Sequence, residues 1–187
     1  MVWSCLVSIL PGMAQTEKLT DYVNPFVGTD GYGNVYPGAQ IPFGGIQISP
    51  DTDSRFYDAA SGYKYNHLTL MGFSLTHLSG TGIPDLGDFL FIPGTGEMKL
   101  EPGTHEDPDQ GYRSRYSHDK EWASPNYYAV ELADYGVKAE MTSGVRSGMF
   151  RFTYPESDNA FIMIDMNHTL WQSCDCLLYT SPSPRDA

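Results

Sequence analysis

Tyr127-Tyr128-Ala129-Val130-Glu131-Leu132-Ala133, then Asp134-Tyr135-Gly136, then Val137-Lys138-Ala139-Glu140-Met141 is the stretch on which the fold turns. Each run is short and rich in strand formers, and alternate side chains fall on one face, as in a half-buried strand. The Asp-Tyr-Gly break between them is turn chemistry, since Asp can bond its own backbone and Gly tolerates positive φ. Two such runs joined by a short turn read as an antiparallel hairpin.

Similar punctuation recurs on both sides of this hairpin. C-terminal to it, Ser143-Gly144 turns the chain into a run from Val145 to Thr153, and Ala160 to Met166 follows Pro155 and a polar turn. N-terminal to it, Asp88-Phe89-Leu90-Phe91-Ile92 reads as a buried strand ended by Pro93-Gly94, and Gly45-Ile46-Gln47-Ile48-Ser49 alternates until Pro50. Connections of two to six residues predict a meander within an all-β sandwich or barrel. The segment 94–126, with Pro102, Pro108 and Pro125, reads as a long surface excursion. No helix of useful length, internal repeat or heptad is visible.

Composition agrees with this reading. The chain has 187 residues, enough for one ordinary domain. Its 13 Tyr, 19 Gly and 13 Pro suit short strands and tight turns. A formal charge of −12, from 23 acidic and 11 basic residues, argues against a nucleic-acid partner, which needs clustered Lys and Arg.

The two ends read differently from the body. Residues 1–14 are uncharged and mostly apolar and finish with Gly12 and Ala14, the pattern of a signal-peptide remnant; the run is too short to span a bilayer, which takes roughly 20 residues. The expectation is export, to the periplasm or outside the cell, with no membrane span. Residues 176–187, with Ser181-Pro182-Ser183-Pro184, resemble the in-frame translation of a sequencing adapter and are set apart from the native body, residues 20–173. Cys5 and Cys176 fall in these ends and Cys174 lies at the border, so no disulfide framework or four-ligand zinc cluster is expected.

Three constellations could carry chemistry. Gly28-Thr29-Asp30-Gly31-Tyr32-Gly33-Asn34-Val35-Tyr36-Pro37-Gly38 lets backbone approach a ligand closely while Asp, Asn and Tyr supply hydrogen bonds for a polyhydroxylated molecule; a structural turn cluster is the plain alternative. It is no phosphate loop, since no Gly-Lys-Ser/Thr follows. His77-Leu78-Ser79-Gly80-Thr81-Gly82-Ile83-Pro84-Asp85-Leu86-Gly87-Asp88 could orient a sugar, hold a metal or serve only as a turn. Its metal reading is weak because His67 and His77 lack a helical two-ligand spacing, and Ser79 lacks a nucleophile elbow. Arg55-Phe56-Tyr57-Asp58 with Tyr63 and Tyr65 sets aromatic rings beside carboxylates, as sugar sites do; tyrosines are also ordinary sheet residues.

Taken in order, Asp21-Tyr22-Val23-Asn24-Pro25-Phe26-Val27-Gly28-Thr29-Asp30, Tyr36-Pro37-Gly38-Ala39, Pro42-Phe43-Gly44, Ser49-Pro50-Asp51-Thr52, the block from Gly72 to Gly82, Ala123-Ser124-Pro125-Asn126-Tyr127-Tyr128 and Lys138-Ala139-Glu140-Met141-Thr142 resemble glycoside hydrolase family 92, the exo-acting α-mannosidases. The resemblance implies an N-terminal antiparallel β-sandwich that packs on a larger (α/α)6 barrel absent from this chain. It also implies a calcium-dependent, inverting site in the cleft between the two, acting on a mannose-containing glycan. The catalytic acid and base, and the calcium ligands, are then expected in the second domain, so neither catalytic nor metal-binding residues are assigned here. Carried onto this sequence, the sugar-facing residues are Gly33, Asn34, Tyr57, Asp58, His77 and Ser79. Many relatives have Trp-Asp where this chain has Tyr57-Asp58, which leaves a smaller stacking face on the leaving-group side. The competing expectation is a free-standing carbohydrate-binding sandwich.

Overall fold

The computed structural model describes residues 18–54 and 57–170. The leader-like run, Arg55, Phe56 and the segment from residue 171 with its two cysteines lie outside the described residues, as does the side chain of Asp58.

The predicted hairpin is the centre of a four-stranded meander. Its strands are β6 (Glu121–Ser124), β7 (Tyr127–Leu132), β8 (Val137–Ser143) and β9 (Gly148–Thr153), in that spatial order and all antiparallel. Pro125-Asn126 makes the β6–β7 turn, with Asn126 at φ +60°, a left-handed value that Asn tolerates better than most residues. Register pairs Tyr128 with Met141, Val130 with Ala139 and Leu132 with Val137. All six are buried on one face, where fully covering a Val, Leu or Met contributes about 1.5–3 kcal/mol.

A second four-stranded sheet faces this one. It orders β1 (Ser49–Asp51), β3 (Gly72–Ser74), β4 (Leu90–Thr95) and β10 (Ala160–Asp165). Phe73 and Phe91 meet Phe150 and Phe152 of β9 across the interface, with Phe91 and Phe150 rings 4.9 Å apart. Two antiparallel sheets with interdigitated inner faces make the β-sandwich the sequence predicts. Leu90, Ile92 and Met163 face the other way and form a smaller core with Met71 and Tyr112. A two-residue pair, β2 (Thr69–Leu70) with β5 (Ser114–Arg115), completes the described strands. The described helices are 3₁₀ turns of three or four residues.

Several local expectations change. Pro50 does not end a strand; it lies within β1, the sheet edge, where a missing N–H is tolerated. Pro93-Gly94 likewise lies inside β4, beyond its Phe73–Phe91 pairing with β3, and the Phe161 ring occupies the space a side chain at Gly94 would need. Ala160–Asp165 leaves the meander and pairs with β4 instead. β9 begins at Gly148, because residues 144–147 form a turn closed by the Gly144 N–H on the Ser147 carbonyl. The 94–126 excursion contains β5 and β6, since Tyr112, Arg113, Ser114 and Tyr116 are buried and draw the chain back to the body.

Candidate functional site

Two glycine-rich loops and one tyrosine converge. The first loop, residues 28–38, closes on itself through the Val35 N–H to the Gly28 carbonyl and the Gly33 N–H to the Asp30 carbonyl, each 3.2 Å. Gly33 passes so near the Gly28 carbonyl that a Cβ there would lie 2.1 Å from it, so Gly33 shapes the loop. The body anchors the loop from below: Lys64 donates its Nζ to the Gly31 carbonyl, and the Tyr65 N–H donates to the Thr29 carbonyl at 2.9 Å.

The second loop, residues 77–88, is closed at its base by the Gly87 N–H on the Thr76 carbonyl and by Thr76 Oγ1 donating to Asp88 Oδ2. It leans on the first loop through the Gly80 N–H, 2.6 Å from the Asn34 carbonyl. Gly82, at φ +61°, sits where a Cβ would be 3.2 Å from both Asn34 Nδ2 and the Tyr57 hydroxyl. Asn34, Tyr57 and Gly82 therefore form one contiguous wall. Asn34 Oδ1 is buried yet accepts no hydrogen bond among the described residues, a state that costs free energy unless a donor reaches it. Tyr57 is 56% exposed, with ring face to offer.

The other expected site residues take different positions. Ser79 is exposed on the second loop. Asp58 follows Tyr57 in a 3₁₀ turn, and its side chain lies outside the described residues. His77 is buried, with Nδ1 2.7 Å from the Gln47 carbonyl and Nε2 2.8 Å from Asp51 Oδ1 and 3.0 Å from Ser74 Oγ. Its polar atoms are engaged within the fold, beneath the loop it begins. The second oxygen of Asp51 meets His168 Nε2 at 2.7 Å. Burial alone would raise the Asp51 carboxyl, but the charge of His77 and hydrogen bonds from His168 and His77 outweigh it and hold the group below the usual carboxylate range.

Sequence reasoning placed Gly82 within the second constellation without choosing it as a site residue, and did not single out His168. Gly82 could have been marked by its place in the Gly-Thr-Gly run, whereas His168 meets a partner 117 residues away and carries no local signal. Among the described residues, no group of three or more His, Cys, Asp or Glu side chains is arranged to hold a metal ion. No helix there is long and apolar enough to cross a membrane.

Comparison with known proteins gives consistent matches. The model described as the glycosyl hydrolase family 92 N-terminal domain matches residues 22–181. An "uncharacterized secreted glycosidase" of Arthroderma benhamiae is 30% identical over 139 residues, covering 73% of this chain and 17% of that protein. Among solved structures, the GH92-family glycosyl hydrolase ccman5 superposes with a TM-score of 0.68 at 30% identity, covering 80% of this chain and 20% of its own. An inverting mannosidase of family GH92 from Bacteroides thetaiotaomicron superposes with a TM-score of 0.64 at 27% identity and the same coverage. The chain thus spans about one fifth of the length of these relatives.

Proposed function

This chain belongs to the glycosyl hydrolase family 92 N-terminal domain family, and on that premise we propose that it forms the sugar-facing wall of the substrate cleft in a larger, exported, calcium-dependent inverting α-mannosidase. The observation that carries the site assignment is the Asn34–Tyr57–Gly82 wall. A half-exposed tyrosine suits the apolar face of a pyranose, and Asn34 beside it holds an enclosed amide oxygen that no described residue satisfies. Gly82 lets both side chains pack close to its backbone, since a Cβ there would lie 3.2 Å from each.

In this reading the wall binds and orients mannose, while a second domain of the same polypeptide supplies the two carboxyl groups. One of these protonates the leaving oxygen and the other activates water from the opposite face. Calcium takes six to eight oxygen ligands. Among the described residues no three His, Cys, Asp or Glu side chains are grouped to hold an ion, so in this reading the second domain supplies its ligands. The secreted fungal relative supports export. The half-exposed Ile162, Ile164 and Met166 support packing against a further domain over a free-standing binding module, whose surface would be closed and polar.

The test is titration of this chain with methyl α-mannoside, followed by amide NMR. Expected shifts cluster in residues 28–38 and 77–88 and at Tyr57, and they vanish in Asn34→Ala. Shifts confined to other surfaces, or unchanged in that variant, would sink the assignment.

A further inference from the structure

Beneath the loop at 77–88 lies a cluster that direct sugar contact does not use. Asp51, His77 and His168 come from β1, from the loop's first residue and from the segment after β10, and their side chains are 0%, 0% and 3% exposed. The post-β10 segment also grips the loop's other end: the Leu170 N–H donates to the Leu86 carbonyl at 2.8 Å, and the Leu170 side chain packs on Gly87. The loop is therefore held near both ends by the same short stretch, residues 168–170, with Asp51 as the link to His77.

Hydrogen-bond accounting then constrains His77. The Gln47 carbonyl can only accept, so Nδ1 carries a proton. Nε2 lies 2.8 Å from an Asp51 oxygen, so a proton bridges the imidazole and the carboxyl. We infer that Asp51, His77 and His168 form a buried hydrogen-bonded clamp that positions the loop at 77–88, so that removing one imidazole loosens the loop; its relevance to sugar binding rests on the function proposed above. Tyr36, whose ring lies 5.1 Å from that of His77, and Tyr112, which senses the Asp51 charge, are titratable groups facing the cluster, and the Arg113 guanidinium donates to the neighbouring Thr52 carbonyl. Burial raises both hydroxyls, to about 12 for Tyr36, so both are neutral at physiological pH. His77 and His168 are positioning residues in this scheme.

The test uses the whole 187-residue chain without sugar. Long-range ¹H–¹⁵N NMR reads the imidazole nitrogens between about pH 5 and about pH 8, and hydrogen exchange is compared in wild type and His168→Gln. The expected result is a proton on His77 Nδ1 across this range, as its hydrogen bond to the Gln47 carbonyl requires. In the variant, exchange in residues 80–87 should rise about tenfold or more, as loss of a charge-assisted hydrogen bond gives, while β7 and β8 are unchanged. A His77 protonated on Nε2 alone, or exchange rising equally in β7 and β8, overturns the inference. If the variant does not fold, the wild-type ring signals still decide. Methyl α-mannoside is added only afterwards, so a missing sugar response counts against the proposed function and leaves the clamp result standing.

Discussion

Glu140 shows how a polar residue on the outer sheet face is held. Arg151 donates from Nε and Nη2 at 2.8 and 2.7 Å, the Tyr127 hydroxyl donates at 2.7 Å, and Lys138 Nζ lies at 3.4 Å. The Arg151 hydrogen bonds foremost, then that from Tyr127, lower the carboxyl to about 2, against about 4.3 in the unfolded chain. A folded-state value below the unfolded one means this contribution is complete above about pH 4.3 and is lost as pH falls toward 2. Urea midpoints should therefore fall between about pH 5 and about pH 3 in wild type, and fall less steeply in Glu140→Gln. The effect is modest because the Arg151 side chain is largely exposed. The same scale shows which site residues sequence could reach. Asn34 and Tyr57 sit in loops whose composition already marks them, whereas the surroundings of His77 depend on Asp51, 26 positions away, and on His168 beyond it. Aromatic, amide and imidazole groups look equally suited to a sugar until tertiary contacts show which are already engaged.

At the scale of elements, the β7–β8 ladder carries the main core. Met141 is fully buried against Tyr128, so Met141→Ala removes packed volume and should cost about 2–5 kcal/mol. Met149, at the exposed start of β9, is the control: Met149→Ala should stay within about 0.5 kcal/mol. Chemical denaturation of both variants checks the difference, and equal losses would mean that the meander does not bury its predicted face. The hairpin was legible because alternation and turn residues are local properties. The extents of β1 and β4 were not, because a proline's cost depends on whether a neighbouring strand needs its N–H. β2 and β5, at two residues each, are too short to carry any period.

For the whole molecule, the open side of the sandwich is the informative feature. Ile162 and Ile164 pair with Pro93 and Phe91 and so share the inward face of their sheet, yet each remains 51% exposed. They lie on β10, which ends the sheet order among the described strands. Ile164→Lys should leave the unfolding midpoint of this chain nearly unchanged, since an exposed site loses little. In a longer polypeptide with a second domain on this face, the same change should lower the midpoint clearly, because a buried ammonium needs a partner. Calorimetry of both forms checks this; equal midpoints in the longer form would count against a covered β10. Sequence by itself determined the all-β class, the central hairpin, the glycine-rich loops and the family, because these depend on periodicity, turn chemistry and ordered motifs along the chain. Tertiary structure alone decided which sheet β10 joins, that Asn34 and Tyr57 share a wall, and that His77 supports a loop from beneath. Those outcomes depend on contacts between residues tens of positions apart, where burial and hydrogen-bond competition select the partner and no local pattern records the choice.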